Sequence, residues 1–298
     1  MTIKIGNIGL GPMGGHIARL LLEKNFDVIG FDINSERMLE LERIGMKLAD
    51  SALDLANEAD VIITSLPSFE SLTSVIDELK ISHKCNQIVV ECSTLEVEQK
   101  IACAKLLQLE NKIMLDAPIS ATPQMLAKGL ASIHIGGDRE AYNQCAEIFD
   151  GFVATKFYVG GVGDGSRMKI LANYLVHVHT VAAAECMTLG QKAGLDLKLV
   201  YESLKESAGN SKMFEVRGKM MAENDYREGG GTMFEILEKD SQIITEFAAK
   251  VRAPIELYGI SRQKFSSAMA MGLQHLDTSS VCKAIEISAG TDRGAKKK

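Results

Sequence analysis

The chain has 298 residues, 46% hydrophobic and 24% charged, with 5 prolines; that suffices for two domains with cores of their own and excludes long disorder. A net charge of −6, with lysines and arginines spread along the chain, argues against nucleic acid or an anionic membrane as a partner. No run of about 18 apolar residues offers a membrane span, and the six cysteines (85, 92, 103, 145, 186 and 282) form no CxxC pair and read as reduced thiols, so a cytoplasmic protein without disulfides is expected.

Short apolar runs at Ile3–Ile8, Asp27–Asp32, Val61–Leu66, Gln87–Ser93, Lys112–Pro118, Ser132–Gly136 and Lys156–Val159 alternate with helical patterns. The first run is too short for a signal peptide and leads straight into glycines. Pro12–Lys24 carries an apolar stripe of Ile17, Leu20, Leu21 and Leu22, and Ser51–Ala59 opens on a capping arrangement of Ser51 and Asp54. This alternation predicts a mostly parallel sheet covered on both faces. After Gly165 the strand-like runs cease. Ser166–Ala193 reads as one helix, roughly 40 Å long at the α-helical rise, ended by Gly194. Asp196–Ser207 reads as a second, with Asp196 as N-cap. Further helical patterns cover 212–223, 234–251, 254–271 and 278–288. The boundary falls in the glycine-rich stretch Gly160–Gly165, predicting an α/β domain over 1–163 and an all-helical domain over 164–298. The C-terminal Lys296-Lys297-Lys298 reads as a solvated tail.

Three motifs carry chemistry. Gly9-Leu10-Gly11-Pro12-Met13-Gly14 follows a strand and opens a helix. Glycines there let the backbone turn sharply and approach a pyrophosphate, whose charge the helix N-terminus stabilises. Pro12 suits the first helical turn, where its missing N–H would be unpaired anyway. Asp32 closes the next strand, where a carboxylate accepts hydrogen bonds from ribose hydroxyls and repels a 2′-phosphate. NAD is therefore expected over NADP; Arg37 lies five residues on, but nothing in the sequence supports it as a site for a 2′-phosphate. The second motif is Lys169 with Asn173. Four residues apart, they share a helix face just beyond the glycine-rich boundary. A helix N-terminus and burial both lower a lysine pKa toward a value useful for proton transfer; periodicity alone leaves a solvated surface lysine an equal alternative. The third is Asp116-Ala117-Pro118-Ile119-Ser120 at a strand end, where ligands of open α/β sheets lie. Ser120 and the following N–H groups could hold a carboxylate, or the stretch is a plain turn set by Pro118.

Together, in this order and spacing, these motifs resemble the β-hydroxyacid dehydrogenase family, the 3-hydroxyisobutyrate dehydrogenase-like enzymes, over nearly the whole chain. Gly9–Gly14 matches the family's GLGxMG loop, Asp116–Ser120 its DAPVSGG substrate signature as far as the serine, and Gly160–Asn173 its GxxGxGxxxKxxNN stretch. Ser65-Leu66-Pro67 and Ser93-Thr94 match the cofactor-touching loops, and Lys239-Asp240 matches the pair whose lysine approaches the cofactor. The resemblance implies a Rossmann domain, an all-α C-terminal domain, a long linking helix, and homodimers or homotetramers formed through the helical domains. It implies NAD on Gly9, Leu10, Gly11, Pro12, Met13, Gly14, Asp32, Ser65, Leu66, Thr94 and Lys239. It places a small carboxylate-bearing substrate on Ser120, Ala121, Thr122, Lys169 and Asn173, with Lys169 as general acid/base, Asn173 beside it, and no metal. Two departures bear on the substrate. Ala121-Thr122 stand for Gly-Gly, so two side chains are expected to intrude on the carboxylate pocket, and Tyr174 follows Asn173. Lys212 could meet a second anion but reads as surface.

Alternatives on this scaffold are an NADH-dependent semialdehyde reductase, an imine reductase, and a dinucleotide-binding regulatory protein without turnover. Ile287-Ser288-Ala289-Gly290 is similar to the corresponding segment of sulfolactaldehyde reductases, but no sulfonate-binding arginine motif follows Ser120. Imine reductases typically lack the lysine, and a binding module needs neither Lys169 nor Asn173. His177, two turns beyond Lys169, reads as an interior histidine. His83, His134 and His275 are scattered, and no cluster has metal-ligand spacing. Cys186 reads as a small buried residue, and Met213, Met220, Met221, Met233, Met269 and Met271 as core and interface filler.

Overall fold

The computed structural model describes residues 3–228, 234–291 and 293. The chain divides into two compact units, Met1–Lys169 and Ile170–Lys298. Met233 and Lys296–Lys298 lie outside the described residues.

The first unit alternates strands and helices from its start. These are β1 (Lys4–Ile8), α1 (Pro12–Glu23), β2 (Asp27–Phe31), α2 (Ser35–Glu42), β3 (Lys47–Leu48), α3 (Ala52–Glu58), β4 (Val61–Thr64), α4 (Phe69–Ile81), β5 (Ile88–Glu91) and α5 (Val97–Leu109). There follow β6 (Ile113–Asp116), β7 (Ile119–Ser120), α6 (Pro123–Ala127), β8 (Ser132–Gly136), α7 (Arg139–Gln144), α8 (Ala146–Phe152) and β9 (Thr155–Gly160). All seven expected strands form, and the expected parallel sheet runs in the order β3-β2-β1-β4-β5-β6-β8-β7, with β9 beside β8. Only the β6–β8 and β7–β8 pairings are antiparallel. Two strands escaped the sequence pattern, β3 and β7, because two residues show no periodicity.

The central strands are buried on both faces, so they read as continuous apolar runs. Alternate residues leave opposite faces of a strand. Val61, Ile63, Ile88 and Val90 join one cluster with Ile17 and Leu21 of α1, whereas Ile62 and Val89 join another with Leu55, Leu72 and Ile76. Each such aliphatic side chain, fully enclosed, contributes about 1.5–3 kcal/mol. Local signals set the helix starts: the Ser51 hydroxyl accepts the Asp54 N–H at 3.0 Å, as its spacing predicts.

A 29-residue helix, α9 (Asp164–Lys192), begins in the first unit and continues in the second. The second unit is helical: α10 (Leu197–Leu204), α11 (Lys212–Glu223), α12 (Phe234–Val251), α13 (Glu256–Ala270), a 3-10 turn at Thr278–Ser280 and α14 (Val281–Ser288). Asp196 caps α10 through the Lys198 N–H at 2.8 Å. Its core gathers Met187, Phe214, Met221, Phe234, Phe265, Val281 and Cys282. Met220 is buried too and Met269 packs against the core, whereas Met271 is 41% exposed and lies outside that core. All six cysteines are free. Burial pushes the Cys103 thiol up to about 11 and those of Cys145 and Cys282 up to about 12. Cys186 is half-buried, a correction to its expected burial: it sits at the edge of the buried face of α9. Among the described residues no helix is long and apolar enough to cross a membrane.

Candidate active site

The glycine loop joins β1 to α1. Gly9 has φ of 86°, and a Cβ there would lie 2.3 Å from the Ser65 carbonyl oxygen; one on Gly14 would lie 1.8 Å from the Gly9 carbonyl oxygen. These two positions require glycine for the turn to close. Gly11 differs, since a Cβ there would meet only the Arg37 guanidinium, at 3.7 Å. Gly11 is also the N-cap of α1, with no side-chain cap and Pro12 behind it. The loop thus leaves open space at the positive end of a helix, and a pyrophosphate fits there. Leu10 is buried and Met13 packs against the sheet core, so both anchor the loop by their side chains.

Asp32 follows β2 and is 8% exposed. Its Oδ2 accepts the Leu10 N–H at 2.6 Å and its Oδ1 the Asn34 N–H at 2.8 Å, so the carboxylate braces the glycine loop. Each oxygen retains acceptor capacity for a ribose hydroxyl. The half-exposed Arg37 guanidinium stands 3.6 Å from Oδ2. After β4, the Ser65 N–H donates to the Ile8 carbonyl and the Leu66 N–H to the Ser93 hydroxyl at 2.8 Å, tying the loops after β4 and β5 together. Thr94 comes next and is half-buried.

Ser120 ends β7, half-buried. The next two side chains, expected to intrude on the carboxylate pocket, are both half-buried. Thr122 is the N-cap of α6, its hydroxyl accepting the Met125 N–H at 3.3 Å, and Ala121 packs against the sheet core. The threonine hydroxyl accepts that bond and keeps its own proton to donate.

Asp116, at the end of β6, is fully buried and ties down the start of α9. Its Oδ2 accepts the N–H groups of Gly163 (3.1 Å) and Ser166 (2.7 Å), and its Oδ1 accepts the Ser166 hydroxyl at 2.8 Å. A Cβ on Gly165 would lie 2.2 Å from the Asp116 carbonyl oxygen, so the helix start lies directly against the strand ends. One turn on stands Lys169, 8% exposed, and four residues later Asn173, 7% exposed. His134 on β8 is half-buried and stacks on Phe157 at 5.8 Å between ring centroids. Burial, then the Lys169 charge, holds its pKa below the ordinary value, so it is neutral near pH 7.

Within the second unit, the Asn173 amide donates to Asp240 Oδ2 at 2.8 Å, and Lys239 Nζ stands 3.3 Å from Asp240 Oδ1. His177 is interior, as expected, with its Nδ1 2.7 Å from the Tyr258 hydroxyl. Lys212 is exposed and paired with Glu215 at 2.7 Å. Sequence reasoning missed the clamp by Asp116, the neighbourhood of His134 and the Asn173–Asp240 bond. The spacing from Asn173 to Asp240 carries no local signal. The helix start that Asp116 holds lies 47 to 50 residues further along the chain, so that clamp carries no local signal either.

Comparison with known proteins then settles the lineage. The family model for the NAD binding domain of 6-phosphogluconate dehydrogenase matches residues 4–160, and the one described as NAD-binding of NADP-dependent 3-hydroxyisobutyrate dehydrogenase matches residues 163–285. The chain belongs to the β-hydroxyacid dehydrogenase family. It is an NAD(P)-dependent oxidoreductase on this evidence. It is 30% identical to an L-threonate dehydrogenase of Haemophilus influenzae, over 93% of this chain and 93% of that one. It is 28% identical to the mitochondrial 3-hydroxyisobutyrate dehydrogenase of Rattus norvegicus, over 93% and 85%. The crystal structure of a 3-hydroxyisobutyrate dehydrogenase from Salmonella typhimurium superposes with a TM-score of 0.83 at 29% identity, covering 94% of this chain and 99% of that one.

Because nothing but Arg37 faces the space over Gly11, Gly11→Ala is expected to fold normally yet bind dinucleotide at least about tenfold more weakly, a loss of about 1.4 kcal/mol. Thermal unfolding and NADH fluorescence titration check the two halves. Gly14→Ala, by contrast, should lower the melting temperature itself, since backbone must move.

Proposed function

We propose that the protein transfers a hydride between a small β-hydroxy acid and NAD, with Lys169 as the general acid/base. The observation that carries this reading is the burial of Lys169. A helical lysine with no task keeps its ammonium in water, whereas this one is enclosed one turn into a helix docked on the strand ends, with Asn173 on the same face. Enclosed ionisable groups concentrate at functional sites.

The division of labour follows. Residues 1–163 hold the dinucleotide and residues 164–298 shape the substrate site and assemble the homodimer or homotetramer. Gly9–Gly14 cradle the pyrophosphate, Asp32 takes the adenosine ribose, and Ser65, Leu66 and Thr94 line the way toward the nicotinamide. When bound, the nicotinamide supplies the hydride-accepting chemistry. Ser120 and the backbone N–H groups at 121 and 122 orient the substrate carboxylate; the Thr122 hydroxyl, which accepts the Met125 N–H, still has a proton to donate beside them. Asn173 holds the substrate hydroxyl, and Lys169 takes its proton in oxidation and returns it in reduction. Lys239 is assigned to the cofactor by family resemblance alone.

The test is turnover measured as NADH absorbance over a panel of short β-hydroxy acids, L-threonate and 3-hydroxyisobutyrate among them, because relatives carry those names. Oxidation of one or more at saturating NAD is the expected result. Bound NADH with no turnover on any hydroxy acid or semialdehyde would favour a regulatory dinucleotide-binding protein instead.

A further inference from the structure

Three charged side chains of the first unit have no exposure at all: Glu91, Lys100 and Asp116. The register of the sheet pairs Glu91 with Asp116 on neighbouring parallel strands, so two carboxylates end at the same level. Like charges facing across a sheet repel. Lys100, on the first turn of α5, places Nζ between them, 2.6 Å from Glu91 Oε2 and 2.9 Å from Asp116 Oδ1. Desolvation alone would lower the pKa of this amine; Asp116 and then Glu91 outweigh it and hold the pKa above the ordinary lysine value.

One ammonium cannot balance two carboxylates. The remaining negative charge is met by the start of α9, where the Gly163 and Ser166 N–H groups point at Asp116; the helix end carries about half a positive charge. On the other side, Glu91 Oε1 accepts the Ser93 N–H at 2.9 Å, and the Ser93 hydroxyl accepts the Leu66 N–H. A single buried network therefore reaches both the loops after β4 and β5 and the first turn of the helix that carries Lys169.

We infer that Glu91, Lys100 and Asp116 form a positioning unit: their charge balance holds the first turn of α9 against the strand ends and thereby sets the place of Lys169. None of the three touches substrate or cofactor in this account. The functional side of the inference rests on Lys169 as the acid/base; the structural side does not.

The decisive experiment uses the full-length protein and a charge-balanced pair of variants. Lys100→Met leaves two carboxylates with no cation. Lys100→Met/Glu91→Gln removes one charge of each sign, so the cluster keeps its parental net charge, now on Asp116 against the helix end, and the glutamine oxygen can still accept the Ser93 N–H. Hydrogen exchange of peptides covering 163–170, without substrate, should speed up by about tenfold to a hundredfold in Lys100→Met. In the double variant it should return to within about threefold of the parent, the signature of coupling between the two sites. Turnover should follow the same order. Unchanged exchange in Lys100→Met, or a double variant no better than the single, overturns the inference. If Lys100→Met does not fold, Ser166→Ala decides: loss of its one hydroxyl bond to Asp116 should lower kcat by about three- to tenfold with KM for NAD unaltered, and parental kcat there overturns the inference equally. Full turnover in Lys169→Ala would instead sink the acid/base reading and leave the exchange result standing.

Discussion

Lys169→Ala is expected to lower kcat by about 100- to 10,000-fold, the range a well-placed general acid/base supplies, while the affinity for NADH changes by less than about threefold. The separation follows from position. Lys169 stands on the second turn of α9, whereas the cradle proposed for the pyrophosphate, Gly9–Gly14 braced by Asp32, lies at other strand ends of the same unit. Truncation to alanine keeps helix propensity and leaves the clamp of Asp116 on Gly163 and Ser166 untouched. A folding defect is therefore not the expected cause of any loss, and circular dichroism and thermal unfolding check that. Lys169→Arg provides a second measurement. Its guanidinium preserves the charge but does not give up a proton near neutral pH, so it should be nearly as inactive. If Lys169→Arg retains the parental rate, the group acts only as a fixed charge and the proton passes elsewhere; the neutral His134 nearby would then be the next group to replace.

How far this could be read in advance differs between elements. Long periodic segments were legible: α11 and α12 begin and end where the apolar spacing says, and Ser51 and Asp196 cap the helices that their residue type predicts. Two-residue strands were not, because β3 and β7 exist only through hydrogen bonds to longer neighbours. The glycine motif was legible down to the residue, but the task of each glycine was not. Only the backbone separates Gly9 and Gly14, which close the turn, from Gly11, which leaves room for a ligand. The Glu91–Lys100–Asp116 triad was invisible for a plain reason: no local spacing links the two acids, and only the in-register pairing of β5 with β6 brings them under α5. The capping role of Thr122 was open to reading, because a threonine ahead of a proline serves readily as a helix cap.

Asp32→Asn is the second variant with a large expected effect, and it bears on the choice between NAD and NADP. The carboxylate is expected to favour NAD, yet the matching C-terminal family model is described by an NADP-dependent enzyme, and Arg37 stands 3.6 Å from Asp32 Oδ2. These facts fit one arrangement. On the proposed reading Asp32 accepts from the ribose and keeps Arg37 occupied; with asparagine in its place the guanidinium is free to pair with a 2′-phosphate, and such charge-assisted pairs are the strong ones. A hydrogen bond to a charged group is worth about 1.5–3 kcal/mol, or roughly 10- to 100-fold. Asp32→Asn should therefore lower kcat/KM for NAD by that factor and raise it for NADP by at least about tenfold. Adding Arg37→Ala should abolish the gain for NADP without restoring NAD. Asparagine keeps one acceptor oxygen for the Leu10 or Asn34 N–H but not both, so part of the NAD loss is a loosened glycine loop. The gain for NADP cannot arise that way, because a loosened loop weakens both cofactors alike. An unaltered ratio of the two cofactors in Asp32→Asn would mean that the residue braces the loop and selects nothing.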